Sequence, residues 1–187
     1  MTDRFIFSGG ECAAYIAAIV RSFQEQHKNH YLGRTALQKL SYFCKALGVP
    51  IPCRFEIYTY GPYSDTITFT VESLLADEVL SDKSRDQKYS NYRLGSEAGE
   101  FFDETEDTIK KFVPTIDMVV QVFGTFQPNE LELIATLHYI SQRQWAIDKI
   151  QPSRDKVFDE FIRIKGDKFS NEEISAWYDA LTKAKLL

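Results

Sequence analysis

Residues 34–64 read RTALQKLSYFCKALGVPIPCRFEIYTYGPYS, and this stretch decides the fold. Leu37, Leu40, Phe43, Cys44 and Leu47 recur at three- and four-residue spacing, which predicts a helix from about Arg34 to Leu47 with one apolar stripe. Arg34, Lys39 and Lys45 fall on its polar side. Gly48 supplies a left-handed stop, and Pro50 prevents the helix from continuing. Past the rigid connector Pro50-Ile51-Pro52, the run from Arg54 to Tyr60 alternates: Phe55, Ile57 and Thr59 against Glu56, Tyr58 and Tyr60. That is the period of a half-buried strand. Gly61-Pro62 is expected to end it in a tight turn.

Downstream, Ser64 or Asp65 can cap a helix reaching about Glu78, with Ile67, Val71, Leu74 and Leu75 as its inner stripe. Val79-Leu80 leads into the polar stretch 81–88, and 89–94 alternates again, so a β-hairpin with a charged tip is expected. Helix, strand, helix and hairpin over 34–95 is the order of a winged helix, the hairpin being the wing. Upstream, Ser8, Gly9 and Gly10 precede a helix from about Glu11 to Gln26, apolar at Ala13, Ile16, Ala17, Val20 and Phe23. The remainder reads as helices: one capped by Ser96, one from Ile116 to Phe126, one opened by Pro128-Asn129 and one over Ser153 to Ile164. The last begins with Ser170 and Glu173, a capping box, and turns Ile174, Trp177, Tyr178 and Leu181 inward. The expected fold class is mainly α with a small β element. A winged-helix-like part (about 1–95) and a C-terminal helical bundle (96–187) would make one compact domain of 1–187.

Composition supports a packed core: 44% hydrophobic and 14% aromatic residues in 187. No apolar run approaches the roughly 20 residues that cross a bilayer, and the longest near the N-terminus, Ala13 to Val20, breaks at Arg21. It lacks the flanks of a signal peptide, so a cytoplasmic protein is expected. Cys12, Cys44 and Cys53 show no CxxC spacing and read as small buried hydrophobes. His27 and His30 share a helix face at most, and no cysteine stands at ligand spacing from them, so no metal site is expected.

The chain shows no phosphate-cradling loop, because Gly9-Gly10 lacks the further glycine and the lysine, and no nucleophile elbow. The acids Asp103, Glu104, Glu106 and Asp107 crowd together as a solvated helix face does. No catalytic residue and no cofactor is expected, and the chain is read as non-enzymatic. DNA binding is the alternative that the winged-helix order raises. Against it, the helix in the recognition position has no Lys or Arg between Arg54 and Lys83, and it carries Asp65, Glu72 and Asp77. The wing offers Lys83, Arg85 and Lys88 as phosphate contacts, together with Arg93.

The run from Arg34 to Phe43, followed by Tyr60-Gly61-Pro62-Tyr63-Ser64, resembles the signature of the Panacea (SocA-like antitoxin) and YwgA-like proteins. Glu130 to Tyr139 and Phe169 to Ile174 resemble the YwgA-like branch in particular. The resemblance implies a module that grips a partner protein, as antitoxins and proteolytic adaptors do, with a toxin or other client as partner. Gln38 and Lys39 lie off the apolar stripe, where they would either hold the Tyr60–Ser64 turn by hydrogen bonds or present a polar surface. With Tyr58, Tyr60 and Tyr63 they are the candidate partner-binding residues, tyrosine offering a large contact area at low entropic cost.

Overall fold

The computed structural model describes residues 10–85 and 88–187. Ser8 and Gly9, expected to lead into the first helix, lie outside the described residues, as do Asp86 and Gln87 of the hairpin tip. Among the described residues the protein is mainly helical with a small β element. The order is α1 (Gly10–Gln26), α2 (Arg34–Ala46), β1 (Glu56–Tyr58), β2 (Gly61–Tyr63), α3 (Asp65–Ala76), β3 (Leu80–Asp82), β4 (Tyr92–Leu94), α4 (Ala98–Ile109), α5 (Val113–Phe123), α6 (Pro128–Asp148), α7 (Arg154–Lys165) and α8 (Asn171–Lys183). From α2 to β4 the order is helix, hairpin, helix, hairpin, and the single strand read between the two helices is a two-stranded hairpin instead. No helix among the described residues is long and apolar enough to cross a membrane.

The chain forms two compact units, one of residues up to 56 with 63–126, the other of 57–62 with 127–187. The division therefore falls after Phe126 and not near 95, because α4 and α5 both pack on α1. That helix is the axis of the first unit. Every residue from Cys12 to Val20 is buried, so the single apolar face expected of it is instead apolar all round. Ala13, Ala14, Ala17 and Ala18 keep it thin enough for α2, α3, α4 and α5 to approach together. The next helix is enclosed in the same way from Leu37 to Cys44, since α1 and α5 both pack on it. Phe43 stacks on Phe123 with ring centroids 4.1 Å apart.

The strand expected over 54–60 is shorter than its alternation suggested. Glu56 and Tyr58 of β1 are exposed and Ile57 only half-buried, so no apolar face extends the ladder. Gly61-Pro62 is part of the partner strand β2, and the turn is made by Thr59 and Tyr60. Gly61 closes that turn at φ 84, a conformation that a short hairpin loop requires at its last position and that glycine adopts without strain. Neither serine expected as a cap acts through its hydroxyl. Ser64 is the N-cap of α3 without a side-chain bond, and Ser96 donates to Glu78 Oε2 at 2.8 Å, one residue ahead of the actual N-cap Glu97.

In the wing β3 and β4 are antiparallel, with Leu80 opposite Leu94 and Asp82 opposite Tyr92. At the wing's base Gly95 N donates to Val79 O at 2.8 Å, and a Cβ at Gly95 would lie 2.0 Å from Glu78 O. Glu78 is itself fixed at φ 56, so the backbone it presents to Gly95 has little room to yield. Gly95→Ala is expected to lower stability by at least about 2 kcal/mol in urea denaturation, because two backbone segments must separate.

In the second unit α6 packs against α7 and α8. The capping box expected at Ser170 and Glu173 starts α8, and a second one at Gln127 and Glu130 starts α6. Residues 131–138 of α6 are all buried. His138 is among them, and burial pushes its imidazole pKa down to about 4. The folded state thus keeps His138 neutral where the unfolded chain, with a pKa near 6.5, protonates it. Its contribution is complete above about pH 6.5 and fades as pH falls toward 4, by up to about 3 kcal/mol. Chemical denaturation at a series of pH values should show that slope, and His138→Gln should flatten it.

Candidate functional site

The residues singled out in the sequence divide sharply. Gln38 is buried, and its amide works as a clamp: Nε2 donates to Ser64 O at 3.0 Å, while Ser64 N donates to Gln38 Oε1 at 3.0 Å. Nε2 also donates to Thr68 Oγ1 at 3.2 Å, and that hydroxyl pairs with Tyr63 OH at 2.7 Å. Of the two roles weighed for Gln38, this is the structural one. It secures the N-terminus of α3, supplying to the Ser64 backbone what a serine cap leaves unmet. Lys39 is 2% exposed, so the polar side on which it was placed is interior. Neither Gln38 nor Lys39 presents a contact surface. Tyr63 is half-buried with its hydroxyl engaged by Thr68.

Tyr58 and Tyr60 are the outward members, 56% and 59% exposed. They flank Thr59 at the hairpin turn, and the second unit holds that turn through charge. Glu132 of α6 is a buried carboxylate with two ammonium partners, Lys165 Nζ at 2.9 Å from Oε1 and Lys168 Nζ at 2.7 Å from Oε2. Lys165 also donates to Thr59 O at 2.8 Å. Lys168 continues outward, its ammonium 5.3 Å from the Tyr60 ring centroid and 5.5 Å from that of Phe169. A buried carboxylate costs several kcal/mol to desolvate, so both cations are needed. Lys165 sits in the last turn of α7, where the helix dipole favours a cation, and Gly166 at φ 59 ends the helix directly after it. The outcome is a two-residue turn whose carbonyl is anchored inside and whose tyrosines stay outside.

No family model matches the chain. It is 30% identical over 145 residues to the "uncharacterized protein YwgA" of Bacillus subtilis (strain 168), an alignment covering 76% of this chain and 80% of that protein. The chain belongs to the YwgA family.

In this YwgA-family chain the ion cluster joins residues 59, 132, 165 and 168, a set that periodicity does not connect. One signal was present: Glu132 interrupts the apolar run Leu131 to Leu137, and an acid inside such a run needs an explanation. Phe69 is a second residue outside the sequence-based set. It is exposed on α3 with Asp65 and Glu72, so the face that a recognition helix would turn to DNA is acidic and aromatic. Lys83, Arg85 and Lys88 are exposed on the wing, as expected. His27 Nε2 lies 3.1 Å from Val120 O, and the His27 and His30 rings are 5.9 Å apart. Among the described residues no group of three or more His, Cys, Asp or Glu side chains gathers to hold a metal.

Removing one partner from the Glu132 cluster strands the others. Glu132→Gln and Lys165→Met are each expected to cost about 3–5 kcal/mol, whereas Lys168→Gln, on the solvent side, costs about 1 kcal/mol. The double variant Glu132→Leu with Lys165→Met should recover most of the loss, since it leaves no buried charge unpaired. Urea melts of the four proteins measure all three statements.

Proposed function

We propose that this protein is a non-enzymatic protein-binding module, and that the Tyr58–Tyr60 hairpin turn is its contact surface. The observation that carries the reading is the combination of exposure and fixation. Two tyrosines more than half exposed flank a turn whose carbonyl is bonded to a buried lysine. Exposed aromatic side chains are costly to leave in water unless something covers them, and fixed ones lose little entropy when a partner does. Tyrosine is the residue type that most often concentrates binding energy at such a surface. Lys168 beside Tyr60 adds a cation, so the surface suits a partner segment that is apolar with an acidic edge.

The resemblance of the Arg34–Phe43 and Tyr60–Ser64 segments to Panacea-type proteins supports reading this module as antitoxin-like or adaptor-like, with a toxin or other client protein as the proposed partner. The acidic and aromatic outer face of α3 weighs against a regulator that reads DNA with that helix. Affinity purification of the tagged chain from its native host, with nuclease added, should recover one stoichiometric protein. Tyr60→Ala with Tyr58→Ser should then weaken that complex about 10-fold or more at unchanged far-UV circular dichroism. A complex indifferent to the loss of both rings would remove this turn as the contact surface.

A further inference from the structure

The wing does not stand alone. The connection between α1 and α2 lies beside β4 and the segment before it, and hydrogen bonds join them at several points. Tyr92 N donates to Leu32 O at 2.9 Å, and Leu32 N donates to Asn91 Oδ1 at 3.4 Å. Arg34 Nη2 donates to Lys88 O at 3.2 Å, and Arg93 Nη2 donates to His30 O at 2.6 Å. Two segments about 60 residues apart in sequence thus form one ribbon, and its charge has one dominant sign. Over 27–34 and 82–93 the sequence holds the cations Lys28, Arg34, Lys83, Arg85, Lys88 and Arg93 against Asp82 and Asp86, a net charge of +4 in a chain of net −5.

The one described carboxylate of the ribbon is turned to structural use. Asp82 Oδ1 accepts from Ser84 N at 2.9 Å and from Asn91 N at 2.8 Å, which joins the two arms of the wing. Burial opposes its ionisation, but these N–H groups outweigh burial and hold the carboxyl below its usual range. Asp82 therefore stays ionised, and the ribbon is positive because its six cations outnumber its carboxylates. Lys28, Arg34, Lys83, Arg85 and Lys88 are all exposed. Among them stand two exposed rings, Tyr31 at 77% and Tyr89 at 63%. Tyr31 adjoins the bonded pair of Leu32 and Tyr92, and the Lys88 ammonium lies 5.6 Å from the Tyr89 ring centroid.

Clustered cations with interleaved exposed aromatics match the phosphates and unstacked bases of a single nucleic acid strand. A duplex would hide its bases from both tyrosines, and the acidic face of α3 would not enter its groove. We infer that the ribbon formed by the α1–α2 connection and the wing binds single-stranded nucleic acid, with the cations on the backbone and Tyr31 and Tyr89 stacking on bases. This surface belongs to the first unit and shares no residue with the Tyr58–Tyr60 turn, so the inference does not depend on the protein-binding reading.

Fluorescence anisotropy of the full chain with a labelled 20-nucleotide oligo-dT, and with a duplex of equal length, tests it. The strand should bind more tightly than the duplex at 50 mM salt, and its affinity should fall about 10²-fold by 200 mM, as release of roughly five counterions requires. Lys28→Glu, Lys83→Glu, Arg85→Glu and Lys88→Glu together should abolish binding. These side chains are exposed, and Arg34 and Arg93, which hold the ribbon together, are kept. Tyr31→Ala with Tyr89→Ala should weaken strand binding about 10-fold or more and leave any duplex binding unchanged. No binding at 50 mM salt, or binding untouched by the four reversals, would overturn the assignment. Duplex binding equal to strand binding and indifferent to both tyrosines would overturn the single-strand reading.

Discussion

Backbone polar groups that no regular element pairs must find partners elsewhere, and this constraint shapes the protein more than its sheets do. Each strand is only three residues long, so the ladders satisfy few of the groups in the connections. Long polar side chains on the helices and strands supply the remainder. Gln24 accepts from Leu94 N, Gln38 spans both backbone groups of Ser64, and Lys45 reaches Ile51 O. Arg93 reaches His30 O, and Lys165 reaches Thr59 O. Apart from the bond of Gln24, which joins α1 to β4, each ties a connection to an element, and loops held this way become fixed surfaces.

Both proposed binding surfaces are products of that arrangement. The Thr59 carbonyl is fixed by a lysine whose own charge is balanced by buried Glu132, so the placement of Tyr58 and Tyr60 is set by an ion cluster rather than by strand length. The ribbon of the α1–α2 connection is fixed by two arginines that bond carbonyls through their guanidinium groups. In both places a cation serves as a backbone partner: Lys165 for Thr59, and Arg34 and Arg93 for the ribbon. Lysines at the outer edge, Lys168 at the turn and Lys83 and Lys88 on the wing, carry the charge outward.

How far the sequence can be read follows from the same physics. Local rules worked where local atoms decide. The Ser170 and Glu173 box starts a helix as written, and α2, α3 and the wing stand in the order that the periodicities gave. They failed where neighbours from elsewhere decide. Lys39 lies opposite an apolar stripe, which normally means solvent, yet α2 is enclosed on that side as well. The alternation of 54–60 is real but supports only β1, because burial on its inner face fades from Phe55, buried, through Ile57, half-buried, to Thr59, exposed. Ser64 and Ser96 have the chemistry of caps, but the Ser64 hydroxyl makes no cap bond and that of Ser96 bonds Glu78 instead.

Charge counting shows most clearly what a linear window misses. Over 34–95 the chain carries eight basic and seven acidic residues, a near-balance that argues against any polyanion as ligand. The window is the wrong object, because it omits Lys28, which the fold brings to the wing through the bond between Arg93 and the Lys28 carbonyl. Once hydrogen bonds define which segments share a surface, the balance separates into an acidic helix face and a basic ribbon. Phosphate responds to the local field within roughly 10 Å, the screening length at ordinary ionic strength, and the total charge of the molecule hardly enters. A chain of net −5 can therefore present a local basic site for polyanions where cations outnumber the acids beside them, Asp82 of the wing and Glu72 of α3, which acts on the Tyr92 hydroxyl.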